Sequence, residues 1–276
     1  MRKIILAAAA LCTVFIAEAQ LKTPQPSPTQ TIKQDFGIST VELTYSRPSM
    51  KGRKIFGDLV PYNALWRTGA NAATRIKFAD EVTIGGQKVK AGDYVLYTIP
   101  GETEWEVVLN KGLTNWGIDG YKKEDDVARI KVNSTKLSEP VETFTMQFVN
   151  LKPSTLDLRI FWDKTAIVLP ISMDVETKVM AQINNLMNKD NRPYFSAAMY
   201  YMDNGKDMNQ ALAWFDKAVE LQPEAFWIHH QRANALAKMG KKKEAIEAAE
   251  KSKALATAQK NDDYVKLNEK LLAELN

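Results

Sequence analysis

The chain has 276 residues, 45% hydrophobic and 25% charged, which suits a globular protein of two domains and excludes a disordered tail or a coiled coil. Its formal net charge is only +4 at pH 7, and residues 190–276 are balanced in sign. The basic stripe of a nucleic-acid binder is therefore missing.

Taken in order, the first residues read as a signal peptide, 1–19. Arg2 and Lys3 supply the positive start, Ile4 to Ile16 is apolar, and Ala17-Glu18-Ala19 is an A-x-A cleavage site. The apolar run falls short of the roughly 20 residues that span a bilayer. Removal is expected to export the protein to the periplasm or beyond, with no membrane span left; the alternative is a retained anchor. The one cysteine, Cys12, lies in this segment after Leu11, where a lipoprotein signal has a small residue. The mature chain would then have no thiol nucleophile, thiolate metal site or disulfide. Residues 20–30 carry three prolines and read as an extended tether.

From 31 to 173 the strand period dominates. Val41, Leu43 and Tyr45 alternate with polar residues. Gly85-Gly86 between two short β-like runs marks a tight hairpin. In DYVLYTIP both faces are apolar, which predicts a central strand. Further runs are expected at 74–78, 105–109, 127–132, 141–149, 155–162 and 166–171. Glu102, Glu104 and Glu106 should share one face, and three like charges there suggest an exposed edge. About nine short strands without a helix argue for an antiparallel β-sandwich or barrel.

At Asp174 the period becomes helical, and 174–190 reads as a bridging helix. Residues 191–276 then carry a repeat of small and aromatic positions, with Ala198, Ala211 and Phe215 in the first copy and Ala233, Leu236, Gly240 and Ala245 in the second, which departs from the pattern in having Ala249 where an aromatic is common. This resembles the tetratricopeptide repeat, followed by a closing helix capped by Asn261 or Asp262. The fold class expected is β + α in separate domains. The helical pair either only packs or receives a protein or peptide partner.

The candidate site is the irregular stretch Tyr45–Thr74, too long without period to be an ordinary connection. Arg47, Arg53 and Arg67 fall within it, and their planar forks suit carboxylate and phosphate oxygens. Trp66 and Tyr62 would form an aromatic wall, and Asn71 an orienting amide. A ligand pocket is one reading. The other is that these arginines pair with acids such as Asp58 and Asp80 and pin a long loop around a core Trp66. Asn110, Trp116 and Tyr121 form a second irregular aromatic segment, suited to a sugar ring or to satellite core.

Catalytic motifs are thin. His229 and His230 are the two histidines, and as helix neighbours they do not share a face. One is expected to pack or to face solvent. Asp125-Asp126 reads as a solvated loop. No cofactor or metal is expected.

The strings YSRPSMKGRKIFGDLVPY, LWRTGANAAT, AGDYVLYTIPG and EWEVVLN make residues of about 25 to 172 resemble a bacterial family known as domain of unknown function 2911. The resemblance implies exported proteins, often with appended helical repeats, and no assigned activity. It lends weight to Arg47, Arg53, Trp66, Arg67, Gly69 and Asn71. The leading expectation is an exported, non-catalytic binding protein for a small anionic or carbohydrate ligand. A cell-envelope hydrolase using Glu42 or Asp58, and a ligand-free scaffold, are the alternatives.

Overall fold

The computed structural model describes residues 23–276; the expected signal peptide and the first tether residues lie outside the described residues. The chain divides into two compact units, one ending at Asp174 and one spanning Val175–Asn276.

The first unit is an antiparallel sheet of nine strands: β1 Thr29–Phe36, β2 Ser39–Ser46, β3 Thr74–Phe78, β4 Val82–Ile84, β5 Gln87–Val89, β6 Gly92–Ile99, β7 Glu104–Asn110, β8 Asp126–Val149 and β9 Thr155–Ser172. Their order across the sheet is β1-β2-β3-β6-β7-β8-β9-β4-β5. Alternation builds it: Val41, Leu43 and Tyr45 of β2 are buried, and Glu42 and Thr44 less so. Strand β6 is buried on both faces from Tyr94 to Thr98, as a central strand must be. Gly85 and Gly86 both have positive φ in the β4–β5 turn, a backbone that side-chain-bearing residues adopt at a cost.

Three details differ from the sequence reading. The tether ends sooner, because β1 starts at Thr29 and pairs along its length with β2. Its polar alternation hid it, since an edge strand buries little on either face. The runs 127–132 and 141–149 are one strand, β8, and 155–162 and 166–171 are one strand, β9. Register shifts at Lys136/Val141 and Val141/Thr145 let the long hairpin bend without breaking the ladder. Finally, β7 lies between β6 and β8, not at an edge. Its acidic face is neutralised across the strand pair, Glu104 by Lys131 at 2.7 Å and Glu106 by Arg129 at 2.5 Å.

Tyr45 joins distant parts of the sheet. Its buried hydroxyl accepts the Met146 N–H at 2.9 Å and lies 3.0 Å from the Met146 carbonyl and 2.9 Å from Gln30 Oε1.

The second unit holds α1 Val175–Leu186, α2 Tyr194–Asp203, α3 Met208–Leu221, α4 Phe226–Lys238, α5 Lys242–Ala258 and α6 Asp262–Leu275. Buried Ala198, Ala211, Phe215, Ala233, Ala245 and Ala249 let α2–α3 and α4–α5 pack as two close helical hairpins. Asp207 caps α3, accepting from the Asn209 and Gln210 N–H groups, and Asn261 caps α6 through the Tyr264 N–H. Both histidines are buried, because α4 packs against α3, α5 and α6. His229 Nε2 meets the Pro223 carbonyl, and His230 Nδ1 meets Asn268 Oδ1, each at 2.8 Å. Both histidines therefore pack, and neither faces solvent. No helix among the described residues is long and apolar enough to cross a membrane.

Candidate functional site

The irregular segment after β2 is ordered by an aromatic cluster. Trp66 stacks on Trp162 at 6.1 Å between centroids and meets Phe56, Trp105 and Phe144 edge-on at 6.1, 6.3 and 5.2 Å. Its indole N–H donates to the Gly69 carbonyl at 3.1 Å. Its backbone pairs with Thr98 in both directions, at 2.8 and 3.0 Å, so the segment is sewn onto β6. Ile55 and Val60 add buried apolar anchors.

The three arginines do not converge. Arg47 is turned onto β8, with Nε on the Phe144 carbonyl at 3.2 Å and Nη2 on Thr145 Oγ1 at 2.9 Å. Arg53 donates to the Met50 and Ser49 carbonyls at 2.9 and 2.6 Å. Both arginines thus hold backbone carbonyls, and Arg47 the Thr145 hydroxyl as well. Arg67 differs. The residue is half-buried, and among the described residues its guanidinium has no hydrogen-bond or ion-pair partner. A Cβ built on buried Gly117 would fall 2.8 Å from Arg67 Nη1, so the 116–118 loop lies directly against it.

Arg53, Trp66 and Arg67 line a cleft of about 220 Å³ with Leu59, Val60 and Gly69. Arg67, Trp66, Leu59 and Val60 also line an adjoining cleft of about 190 Å³, closed by Pro61, Leu65 and Ile118. Leu59 is 44% and Ile118 47% exposed, so the cation sits within an apolar rim. Asn71 and Trp116 belong elsewhere, to a cleft of about 640 Å³ lined also by Gln25, Thr29, Thr44 and Arg75.

The other sequence candidates serve internal contacts. Tyr62 packs under Gly57, where an added Cβ would come within 2.8 Å of its ring. Asn110 is fully buried; its Nδ2 donates to the Lys122 carbonyl at 2.9 Å and to Asp126 Oδ1 at 2.8 Å, and its Oδ1 accepts from the Gly112 N–H at 2.8 Å. It thereby pins the loop before β8. The Tyr121 hydroxyl donates to Asp126 Oδ2 at 2.8 Å and accepts from Arg129 Nη2 at 2.7 Å. Asp126, with a side chain only 8% exposed, is the hub of this network and not a solvated loop residue. Leu59, Arg75 and Ile118 escaped the sequence reading. Their signals were an outward position in TRIKF and isolated apolar residues in irregular loops.

Burial raises the phenol pKa of Tyr45, Tyr94, Tyr97 and Tyr121 above the ordinary 10.0, and for Tyr121 the hydrogen bond to Asp126 adds to it. A raised folded-state pKa means that the native state holds these protons after the unfolded chain has lost them. Stability is then undiminished below about pH 10 and falls as pH rises beyond it. Phenolate absorbance on alkaline titration should show these four ionising at higher pH than free tyrosine. Their ionisation in step with free tyrosine would contradict the burial argument.

Comparison with known proteins agrees with this division. Residues 192–224 and 228–258 match the tetratricopeptide repeat, over α2–α3 and α4–α5. No curated protein matches the chain. Residues 27–171, more than half of the chain and nearly all of the nine-stranded sheet, match the family described as protein of unknown function DUF2911, and the chain belongs to that family.

Proposed function

We propose that this is an exported, non-catalytic binding protein whose β unit takes a small anion at the Arg67 cleft and whose helical repeats dock a protein partner. Tetratricopeptide repeats suggest protein interaction, and the N-terminal signal pattern supports export. The observation that carries the anion is Arg67 itself. No described acid pairs with it, so a carboxylate or phosphate in the cleft beside Trp66 would gain a charge-assisted hydrogen bond without displacing a protein partner. The apolar rim would raise the strength of such a charge pair by excluding water.

The hydrolase reading needs a carboxylate beside the arginines. Asp58 is exposed, Glu42 lies across from Lys33 and Lys77 in the sheet, and neither lines the clefts described. The scaffold reading needs Arg67 to hold an acid, and none of the described acids pairs with it.

Thermal-shift measurement with phosphate, citrate, gluconate and glucuronate tests the proposal. At least one should raise the melting temperature of the wild type and leave that of Arg67→Gln unmoved. The unliganded variant should stay within about 0.5 kcal/mol of the wild type, as for a side chain without hydrogen-bonding partners. Equal responses from both proteins, or none from either, would defeat the proposal.

A further inference from the structure

We infer that the larger cleft, beside Asn71 and Trp116, is a second and separate binding site, and that its ligand is a neutral oligosaccharide. Its volume of about 640 Å³ lies within the range of small-molecule sites. One wall is the Trp116 indole, 65% exposed. The indole is displayed by a backbone held on both sides. Asn115 is tied through Nδ2 to the Tyr97 hydroxyl at 3.2 Å, the Asp119 N–H returns to the Trp116 carbonyl at 3.0 Å, and Gly117 is buried against Arg67. A large aromatic face offered to solvent suits the C–H face of a pyranose ring, which the negative ring face attracts.

The polar lining selects the class. Gln25, Thr29, Thr44 and Asn71 supply amides and hydroxyls of the same dual character as sugar hydroxyl groups; the Thr29 hydroxyl already meets Ser46 Oγ at 3.3 Å and the Thr44 hydroxyl meets Thr31 Oγ1 at 2.9 Å, and each oxygen keeps a further lone pair. Asn71 is already placed: its Nδ2 donates to the Ser27 carbonyl at 3.2 Å and to Ser46 Oγ at 3.3 Å, and it holds a left-handed backbone with φ 58°. Arg75, the cleft's one cation, donates to the Leu113 carbonyl. A lining with four dual-character groups and one partly engaged cation fits hydroxyls better than a phosphate. Arg67 lines the two clefts described above and not this one.

Calorimetric titration of the purified protein with cellotetraose, maltotetraose, xylotetraose, mannotetraose and chitotetraose tests the inference. The wild type should bind at least one. Trp116→Ala, which removes an exposed side chain and should melt normally, should weaken that binding at least about tenfold, as loss of a stacking contact does. Trp116→Phe should recover part of it. Two results would overturn the inference: no binding by the wild type at millimolar saccharide, or equal binding by Trp116→Ala. Failure of the anion reading alone would leave the saccharide result unchanged.

Discussion

Trp162→Ala is expected to destabilise the β unit by about 3–5 kcal/mol, the range for removing a large buried aromatic side chain. The Trp162 side chain is 1% exposed. Its ring stacks on Trp66 and meets Phe56 and Phe144 edge-on at 6.5 and 5.7 Å. Its indole N–H donates to the Glu142 carbonyl at 3.1 Å. Alanine would leave a cavity too well walled to collapse and would remove one of two donors to that carbonyl, which also accepts from the Met50 N–H at 2.8 Å. A small domain holds only about 5–15 kcal/mol in total, so the midpoint of thermal unfolding should fall by on the order of 10 °C. Urea unfolding followed by tryptophan fluorescence would measure it. The loss should extend to the Arg67 cleft, because Trp66 and Trp162 both line it. A variant with an unchanged midpoint would mean that the long irregular segment is held by something other than its aromatic neighbours.

The second large effect is expected at Asp126. Its carboxylate accepts from Arg129 Nε, the Tyr121 hydroxyl and Asn110 Nδ2, each at 2.8 Å. Asp126→Ala would leave three donors short of an acceptor, with Arg129 retaining only Glu106 as an acid and with its own side chain 28% exposed. Stranding a mostly buried charge and two neutral donors should cost about 2–4 kcal/mol, toward the lower end because Arg129 keeps some water. Asp126→Asn, which preserves shape and removes charge, should cost less. A double-mutant cycle with Arg129→Met isolates the pair. Additive losses would show that the two residues act separately and that the network is only geometric.

Both predictions fall on residues that the sequence made visible only in part. Trp66 stood out because it lay in an arginine-rich string, but its neighbours Trp105, Phe144 and Trp162 come from β7, β8 and β9. Nothing in a linear pattern brings these together. The arginines show the same limit more sharply. Three guanidinium groups within 21 residues look like one anion pocket, yet backbone direction sends Arg47 to β8 and bends Arg53 onto its own turn. Arg67 keeps its charge available because the adjacent loop presents Gly117 and not an acid. The single expected site thereby becomes two kinds of cleft, one around Arg67 and one around Trp116 and Asn71. The Asn110 amide, fully buried, and the Tyr121 hydroxyl are instead engaged by partners within the protein.

What the sequence determined by itself is what local chemistry decides. Two-residue alternation buried one face of each strand, Gly85-Gly86 turned the short hairpin, and small residues at helical spacing let the repeat helices approach. These outcomes depend on neighbours a few positions apart. The tertiary structure alone decided where strands merge, which strand lies at an edge and which charges stay free. Those outcomes depend on residues up to about a hundred positions apart, such as Tyr45 and Met146. There the free energy of a contact follows from what folding places opposite a side chain, and not from its place in the chain.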